Sequence, residues 1–310
     1  MDPMRDPTAL LQTLVDTHRH LALDTDQDPS AQPDGPSPRA LAYAGARRLG
    51  FIPADAACIA TAWQNQSDRE GHFDPTRWPV AGNDFELPTP PQARTFAACP
   101  KDLGLYAVLP DATWVGRIAR AGVPTVQLRF KHPDPAAVEA EVHAAVAAVA
   151  GTDSLLFIND HWRVAIAAGA YGVHLGQEDL DTLTADEIDT LRTSGLRLGL
   201  STHGYAEMRK AEAVGPSYMA LGAVYPTTLK AMATPPQGPA RLAAYAHLMA
   251  HRPLVAIGGI SAEQFPAVAA SGVGSVAMVR AITAAPDPEA AAAALMDLWD
   301  TCQAPAAEEN

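Results

Sequence analysis

Eight short apolar runs, each followed by a helical stretch, fill the chain from residue 103 onward and constrain its fold more than any other feature. Alternating strand and helix patterns are typical of βαβ units that share a parallel sheet. Eight such pairs in about 200 residues match the lower size limit of a (β/α)8 TIM barrel. A doubly wound open sheet is the alternative. The strands are predicted at residues 103–110, 125–131, 154–160, 171–176, 196–202, 217–225, 253–260 and 274–282.

The chain before the barrel, residues 1–100, has a different character. Asp, Pro and Gly are frequent at 24–38 and 74–97, and little strand pattern is present. Only residues 39–64 look ordered, and their Ala, Leu and Ile spacing predicts two short helices joined near Gly50 to Pro53. We therefore expect a mostly helical or partly disordered N-terminal extension of unknown function, followed by a barrel domain at 101–310. A chain that begins near Pro100 is expected to keep the activity of the barrel if it stays soluble.

Composition and charge exclude several classes of function. The formal net charge of −13 argues against binding to nucleic acid or to an anionic membrane, because both need clustered Lys and Arg. No apolar run approaches the roughly 18 residues that span a membrane, and the acidic start differs from a secretory signal, so a cytoplasmic location is predicted. The three cysteines are far apart, which indicates neither a disulfide framework nor a zinc cluster.

Polar residues cluster where the predicted strands end, which is where TIM barrels build their active sites. Gln127, Arg129 and Lys131 alternate at the end of the second strand, so all three face the same side. An amide and two cations pointing into a barrel would be costly unless an anion meets them. The alternative is a salt bridge with a neighbouring acid.

Carboxylates follow the next two strands, at Asn159-Asp160 and at Gln177-Glu178-Asp179. Such oxygen ligands on adjacent loops suit Mg2+ that bridges a pyrophosphate. Helix capping is the alternative role of these acids. His174 and Glu178 could equally be structural and are not assigned to the site.

The later strand ends carry the groups of a phosphate site. They are hydroxyls, a lysine and glycines that permit close approach, namely Ser201, Thr202, Thr227, Thr228, Lys230, Gly258 and Gly259.

Six segments together resemble the successive motifs of the thiamine phosphate synthases, in the order of that family. They are VQLRFK, LFINDH, GVHLGQEDL, LGLSTH, LGAVYPTTLK with PPQG, and VAIGGI, and the resemblance covers about residues 103–290. It implies a Mg2+-dependent transferase of thiamine biosynthesis. Such an enzyme joins 4-amino-2-methyl-5-(diphosphooxymethyl)pyrimidine, here called the pyrimidine pyrophosphate, to thiazole phosphate. Pyrophosphate leaves first, and the thiazole nitrogen captures the resulting pyrimidine methyl cation.

The same resemblance assigns roles to individual residues. The pyrimidine pyrophosphate would be held by Gln127, Arg129, Lys131, Asn159, Ser201 and Lys230, with Arg129, Lys131 and Lys230 as the catalytic cations. Mg2+ would be bound by Asp160 and Asp179. The thiazole phosphate would be held by Thr227, Thr228, Leu229, Gly259, Val279 and Arg280.

Two positions depart from the family pattern. Leu229 stands where a threonine is usual, and Arg280 stands where a serine is usual. Arg280 could bind the phosphate bidentately and so replace the lost hydroxyl. The alternatives to a synthase are a thiazole tautomerase-like enzyme and a non-catalytic ligand-binding barrel. Homo-oligomer formation is left open.

Overall fold

The predicted barrel forms, and all eight predicted strands are present. The computed structural model describes residues 6–89, 94–228 and 234–303. Its parallel strands close in sequence order, and β8 pairs with β1. They are β1 (Gly104–Leu109), β2 (Thr125–Leu128), β3 (Leu155–Asn159), β4 (Gly172–Leu175), β5 (Arg197–Thr202), β6 (Tyr218–Leu221), β7 (Leu254–Ile257) and β8 (Ser275–Met278). The open-sheet alternative is therefore wrong.

Seven of the eight strands end earlier than predicted, and β2, β6, β7 and β8 do so by three or four residues, because the pattern used to place them continues into the loops above the barrel. β2 ends at Leu128, so Arg129 and Lys131 lie beyond the strand rather than within it. β6 ends at Leu221, and the following segment lies against β7, with Val224 N donating to Ile257 O. After β8 the backbone leaves the extended conformation and starts a short helix.

Helices follow the strands and cover the barrel. They are α4 (Ala112–Arg120), α5 (Pro135–Ala148), α6 (Trp162–Ala168), α7 (Gln177–Thr182), α8 (Ala185–Thr193), α9 (Tyr205–Val214), α10 (Gly238–Leu248), α11 (Phe265–Ala269), α12 (Arg280–Thr283) and α13 (Pro288–Gln303). Within the described ranges, no helix is long and apolar enough to cross a membrane.

The extension contains α1 (Pro7–Thr17), a 3-10 turn (Arg19–Leu21), α2 (Pro38–Arg48) and α3 (Pro53–Glu70). The two predicted helices and their junction near Gly50 to Pro53 are confirmed, although α3 runs six residues past 64. The expectation that only residues 39–64 are ordered was wrong. α1 begins after the capping residue Asp6 and buries Leu11 and Leu14. Because its buried face consists of only two leucines among acidic residues, the apolar pattern was too weak to predict this helix.

The extension packs onto α9 and α10 of the barrel. Its aromatic side chains Phe51 and Phe85 contact Tyr205, at ring-centroid distances of 6.1 and 4.7 Å. Buried side chains of the extension and of the barrel helices belong to one continuous apolar core. Separating the two would expose this apolar surface to water, which is unfavourable.

Large aromatic rings fill the lower interior of the barrel, and two glycines make room for them. Phe157 and Tyr218 point inward and are fully buried. A Cβ at Gly172 would lie 2.4 Å from the Phe157 ring, and a Cβ at Gly199 would lie 2.1 Å from the Tyr218 ring. These strand positions therefore admit only glycine while the rings stay in place.

Gly199→Ala should destabilise the barrel, because the added methyl group would displace the ring of Tyr218. Overpacking of this kind typically costs about 1–3 kcal/mol of unfolding free energy. Chemical denaturation would measure the change. Gly35→Ala is the control, since a Cβ there meets nothing within 4 Å. Equal denaturation midpoints for the two variants would contradict this account of the core.

Candidate active site

A cavity of about 690 Å3 opens at the C-terminal ends of the strands. Most of the residues predicted from sequence line it, which confirms that the strand ends converge. They are Gln127, Arg129, Lys131, Asn159, Asp160, Asp179, Ser201, Thr227, Gly259, Val279 and Arg280. Thr228 lies beside the cavity and contacts Arg280. Leu229 and Lys230 lie outside the described residues.

The two cations after β2 stand at the mouth of this cavity. Arg129 is half-buried, and its backbone N donates to Leu109 O at 2.8 Å, which continues the β1–β2 pairing by one bond. Lys131 is exposed, and its Nζ lies 3.3 Å from Asp160 Oδ2. The salt bridge considered as an alternative is therefore present. It does not remove either cation from the cavity, because both still line it.

Asp160 has an uncommon backbone conformation, with φ of 66°. Asp tolerates this left-handed region better than most residues. The amide N of Asp160 donates to His174 O at 3.0 Å, which ties the turn to the neighbouring strand. The pKa of the Asp160 carboxyl is raised by burial and by the negative charge of Asp179, while Lys131 opposes the shift. Two acids thus face each other at the rim.

Asp179 has the helix-capping role that was considered as its alternative. Its Oδ2 accepts a hydrogen bond from Gly176 N at 2.9 Å and so caps the start of α7. Its charge also reaches Asp160. Within residues 6–89, 94–228 and 234–303, no group of three or more His, Cys, Asp or Glu could hold a metal ion. Two carboxylates still suit Mg2+, which commonly keeps several waters and uses one or two carboxylates together with substrate phosphates.

Gln127 and Asn159 are buried on the inner wall, and their amides are fixed by hydrogen bonds. Gln127 Nε2 donates to Asn159 Oδ1 at 3.0 Å. The Tyr106 hydroxyl donates to Gln127 Oε1 at 2.8 Å. Each amide therefore keeps one orientation toward the cavity.

The same chain of hydrogen bonds continues across the barrel to Ser201. The Tyr106 hydroxyl lies 2.8 Å from that of Tyr218, which lies 2.7 Å from His174 Nδ1. His174 Nε2 lies 2.8 Å from Ser201 Oγ. Burial raises the pKa of both tyrosines, so both stay neutral. Sequence reasoning left His174 unassigned and missed the tyrosines, although their inward positions follow from the period-two pattern.

The opposite wall is formed by the ends of β7 and β8. Gly258 and Gly259 have φ of 104° and 65°, and a Cβ at Gly259 would lie 2.4 Å from Pro226 O. The glycines thus let the loop after β6 lie directly on β7. Arg280 Nη1 donates to Thr228 Oγ1 at 3.3 Å, which joins this loop to the start of α12.

His203 also lines the cavity and was not predicted. Its Nδ1 lies 2.6 Å from Glu207 Oε2, and its backbone N donates to the same oxygen at 2.9 Å. A histidine followed four residues later by a glutamate at a helix start was the available signal.

Sequence comparison relates the barrel to characterised enzymes. Thiamine-phosphate synthase of Neisseria meningitidis serogroup B is 50% identical over 206 residues, which cover 66% of this chain and 99% of that protein. Thiamine-phosphate synthase of Cronobacter sakazakii is 52% identical over 203 residues, which cover 66% of this chain and 95% of that protein. About a third of this chain therefore has no counterpart in these relatives.

A solved structure leads to the same family. Thiamine phosphate pyrophosphorylase from Pyrococcus furiosus superposes with a TM-score of 0.57 at 26% identity, covering 65% of this chain and 98% of that chain. Residues 105–282 match the family described as thiamine monophosphate synthase. Strand order, the residues around the cavity and the relatives agree, and the chain belongs to the thiamine monophosphate synthase family.

Proposed function

We propose that this chain is a thiamine phosphate synthase, a transferase that joins the pyrimidine pyrophosphate to thiazole phosphate and releases pyrophosphate with the help of Mg2+. The observation that supports it best is the meeting of Arg129, Lys131, Asp160 and Asp179 at one rim of a single cavity. Cations and facing carboxylates in one place suit a polyphosphate with its metal ion. The similarity to named synthases over nearly their whole length supports the same reaction.

The rim after β2 and β3 would receive the pyrophosphate. Arg129 and Lys131 would bind its oxygens, and preorganised cations stabilise the charge that grows on a leaving group. Lys230 is proposed as a third cation on the basis of the family resemblance alone. Asp160 and Asp179 would hold Mg2+, which supplies further positive charge at the leaving group.

The inner wall would bind the pyrimidine ring. Gln127, Asn159 and Ser201 present neutral donors and acceptors that are already fixed by the buried network. A fixed neutral wall suits a reaction through a carbocation, because it offers no strong nucleophile to trap the cation before the thiazole nitrogen does. Preorganisation also lowers the entropy cost of placing the ring.

The wall formed by the ends of β7 and β8 would bind the thiazole phosphate. Arg280 and Thr228 are within hydrogen-bond distance of each other, so a phosphate there could contact a guanidinium and a hydroxyl together. Gly259 and Val279 line the same wall, as does Thr227. Leu229 is proposed to lie in this subsite, also on the basis of the resemblance alone.

A thiazole tautomerase is the second candidate, since such an enzyme would share the barrel. It has no need of a pyrophosphate and metal site, and the paired carboxylates beside two cations therefore favour the synthase. A non-catalytic ligand-binding barrel is the third candidate, suggested by Leu229 and Arg280. A cytoplasmic location stays a prediction from the sequence.

Purified full-length protein incubated with both substrates and Mg2+ should form thiamine phosphate and release pyrophosphate. A chelator should stop the reaction, and added Mg2+ should restore it, because the leaving group loses its charge partner without the ion. Chromatographic detection of thiamine phosphate is the measurement. Substrate binding without product would favour the non-catalytic barrel.

Asp160→Asn and Asp179→Asn should each lower synthesis severely and raise the Mg2+ concentration needed for half-maximal rate. Asparagine is chosen because it tolerates the left-handed backbone at position 160 and removes only the charge. Loss of an outer-shell partner at a metal site typically costs about 10–100-fold in metal affinity or activity, so loss of a ligand should cost at least that much. Asp297→Asn, on the exposed face of α13, is the control. A double variant with full rate and unchanged Mg2+ dependence would end the metal assignment.

Arg280→Ser should raise the KM for thiazole phosphate and leave the KM for the pyrimidine pyrophosphate nearly unchanged. Loss of a charge-assisted hydrogen bond corresponds to about 10- to 100-fold in affinity. Arg163→Ser is the matched control, because Arg163 is exposed and pairs with Glu187 away from the cavity. An unchanged thiazole KM would mean that other groups hold the phosphate.

A further inference from the structure

The helix α9 starts directly after a substrate-facing loop, and it starts without a cap of its own. β5 ends at Thr202, and Ser201, Thr202 and His203 all line the cavity. The cap position of α9 is Gly204, which has no side chain to accept a hydrogen bond. The first backbone N–H groups of a helix need acceptors from elsewhere. Glu207 of the same helix holds His203, whereas the first N–H groups of α9 depend on an acceptor from outside the helix.

Asp55 of the extension supplies the missing acceptor. Asp55 lies in the first turn of α3, and its Oδ1 accepts a hydrogen bond from Ala206 N at 2.9 Å. The two residues are 151 positions apart in the sequence. A Cβ at position 204 would lie only 2.0 Å from Asp55 Oδ2. The carboxylate of the extension thus fills the space that a cap side chain at position 204 would use.

The placement of Asp55 is costly, which argues against an incidental contact. Asp55 is 4% exposed, and burial raises the pKa of its carboxyl to about 6. Its backbone hydrogen bonds to α9 and the charge of Arg241 partly offset this effect, whereas Glu207 adds to it. The hydrogen bonds to α9 therefore offset part of the cost of burying this acid.

Arg241 of α10 anchors the extension at this place. It is 2% exposed, and its Nε and Nη2 donate to Leu21 O and Leu49 O of the extension, each at 2.9 Å. Its guanidinium carbon lies 3.6 Å from the ring centroid of Phe51. Its Nη1 donates to Gln237 Oε1 at 3.2 Å, and Gln237 N donates to Ala223 O in the segment after β6. The extension is thus held against both loops that flank this side of the cavity.

We propose that Asp55 of the N-terminal extension is a positioning residue of the substrate site, capping α9 from outside the barrel so that Ser201 and His203 keep their places. This inference rests on the proposed synthase function, since it takes Ser201 as a contact of the pyrimidine. The Neisseria and Cronobacter synthases are matched over nearly their whole length, and they leave about a third of this chain without a counterpart. In this chain, Asp55 of the extension makes the capping hydrogen bond at the start of α9.

The test compares four full-length variants with the unaltered protein. Asp55→Ala removes the cap, and Asp55→Ala/Gly204→Asp returns a carboxylate to the cap position in the space vacated. The backbone at position 204 is extended, with φ of 177°, so any residue fits it. Gly204→Asp alone places two carboxylates in one space. Asp84→Ala is the matched control, because Asp84 is 3% exposed and its carboxylate pairs with Arg69 inside the extension.

Asp55→Ala should raise the KM for the pyrimidine pyrophosphate about 10-fold, because loss of a helix cap corresponds to a free-energy change of that scale. The KM for thiazole phosphate should change less than about twofold. The double variant should recover most of the loss, and Gly204→Asp alone should not be active at the original level. Asp84→Ala should change the melting temperature without changing either KM. Unchanged pyrimidine KM in Asp55→Ala would overturn the proposal, as would failure of the double variant to restore the folding or activity that Asp55→Ala loses.

Hydrogen exchange separates this inference from the proposed function. Amides at the start of α9 should exchange faster in Asp55→Ala than in the unaltered protein, and at the original rate in Asp84→Ala. If the unaltered protein makes no thiamine phosphate, the synthase assignment fails. The exchange rates still decide whether Asp55 orders the loop, and equal rates in Asp55→Ala and the unaltered protein would overturn that.

Discussion

The packing of aromatic rings against glycine backbone inside the barrel is the constraint on which the site depends. Phe157 and Tyr218 fill the lower interior because Gly172 and Gly199 leave room for them. The ring of Tyr218 ends in a hydroxyl that bonds to Tyr106 and His174. The apolar part of the packing closes the bottom of the barrel, and the hydroxyl groups make its upper surface polar. One layer of side chains therefore serves as core and as the floor of the cavity.

Charge is distributed so that an acidic protein can bind anionic substrates. The net charge is −13, yet Arg129, Lys131 and Arg280 all line the cavity. Asp160 and Asp179 would repel a polyphosphate by themselves. Burial and mutual repulsion raise the pKa of Asp160, and a divalent cation would relieve both effects. This arrangement of carboxylates and cations supports the proposal that the polyphosphate binds together with a metal ion.

The sequence predicted the features that depend on local periodicity, and missed those that depend on distant contacts. Strand number, strand order and the convergence of Gln127, Asn159 and Ser201 followed from alternating patterns and from barrel geometry. The ends of the strands did not, since the apolar pattern of 217–225 continues where the backbone leaves β6. The buried network through Tyr106 and Tyr218 was missed because hydroxyl pairing across a barrel leaves no trace in spacing.

The relation between the extension and the site had no local signal at all. Gly204 has no capping side chain and Asp55 lies near the start of a helix, and neither fact points to the other. Only the fold brings Asp55 within hydrogen-bond distance of Ala206 N in the first turn of α9. The expectation that a chain starting near Pro100 keeps its activity treated the extension as separate, and it stays a prediction. Its physical premise is weakened, because loss of the extension would leave the start of α9 uncapped and would expose Arg241 and the apolar surface around Tyr205. Folding of the extension and order of the substrate loop are then linked, since the same contacts stabilise both.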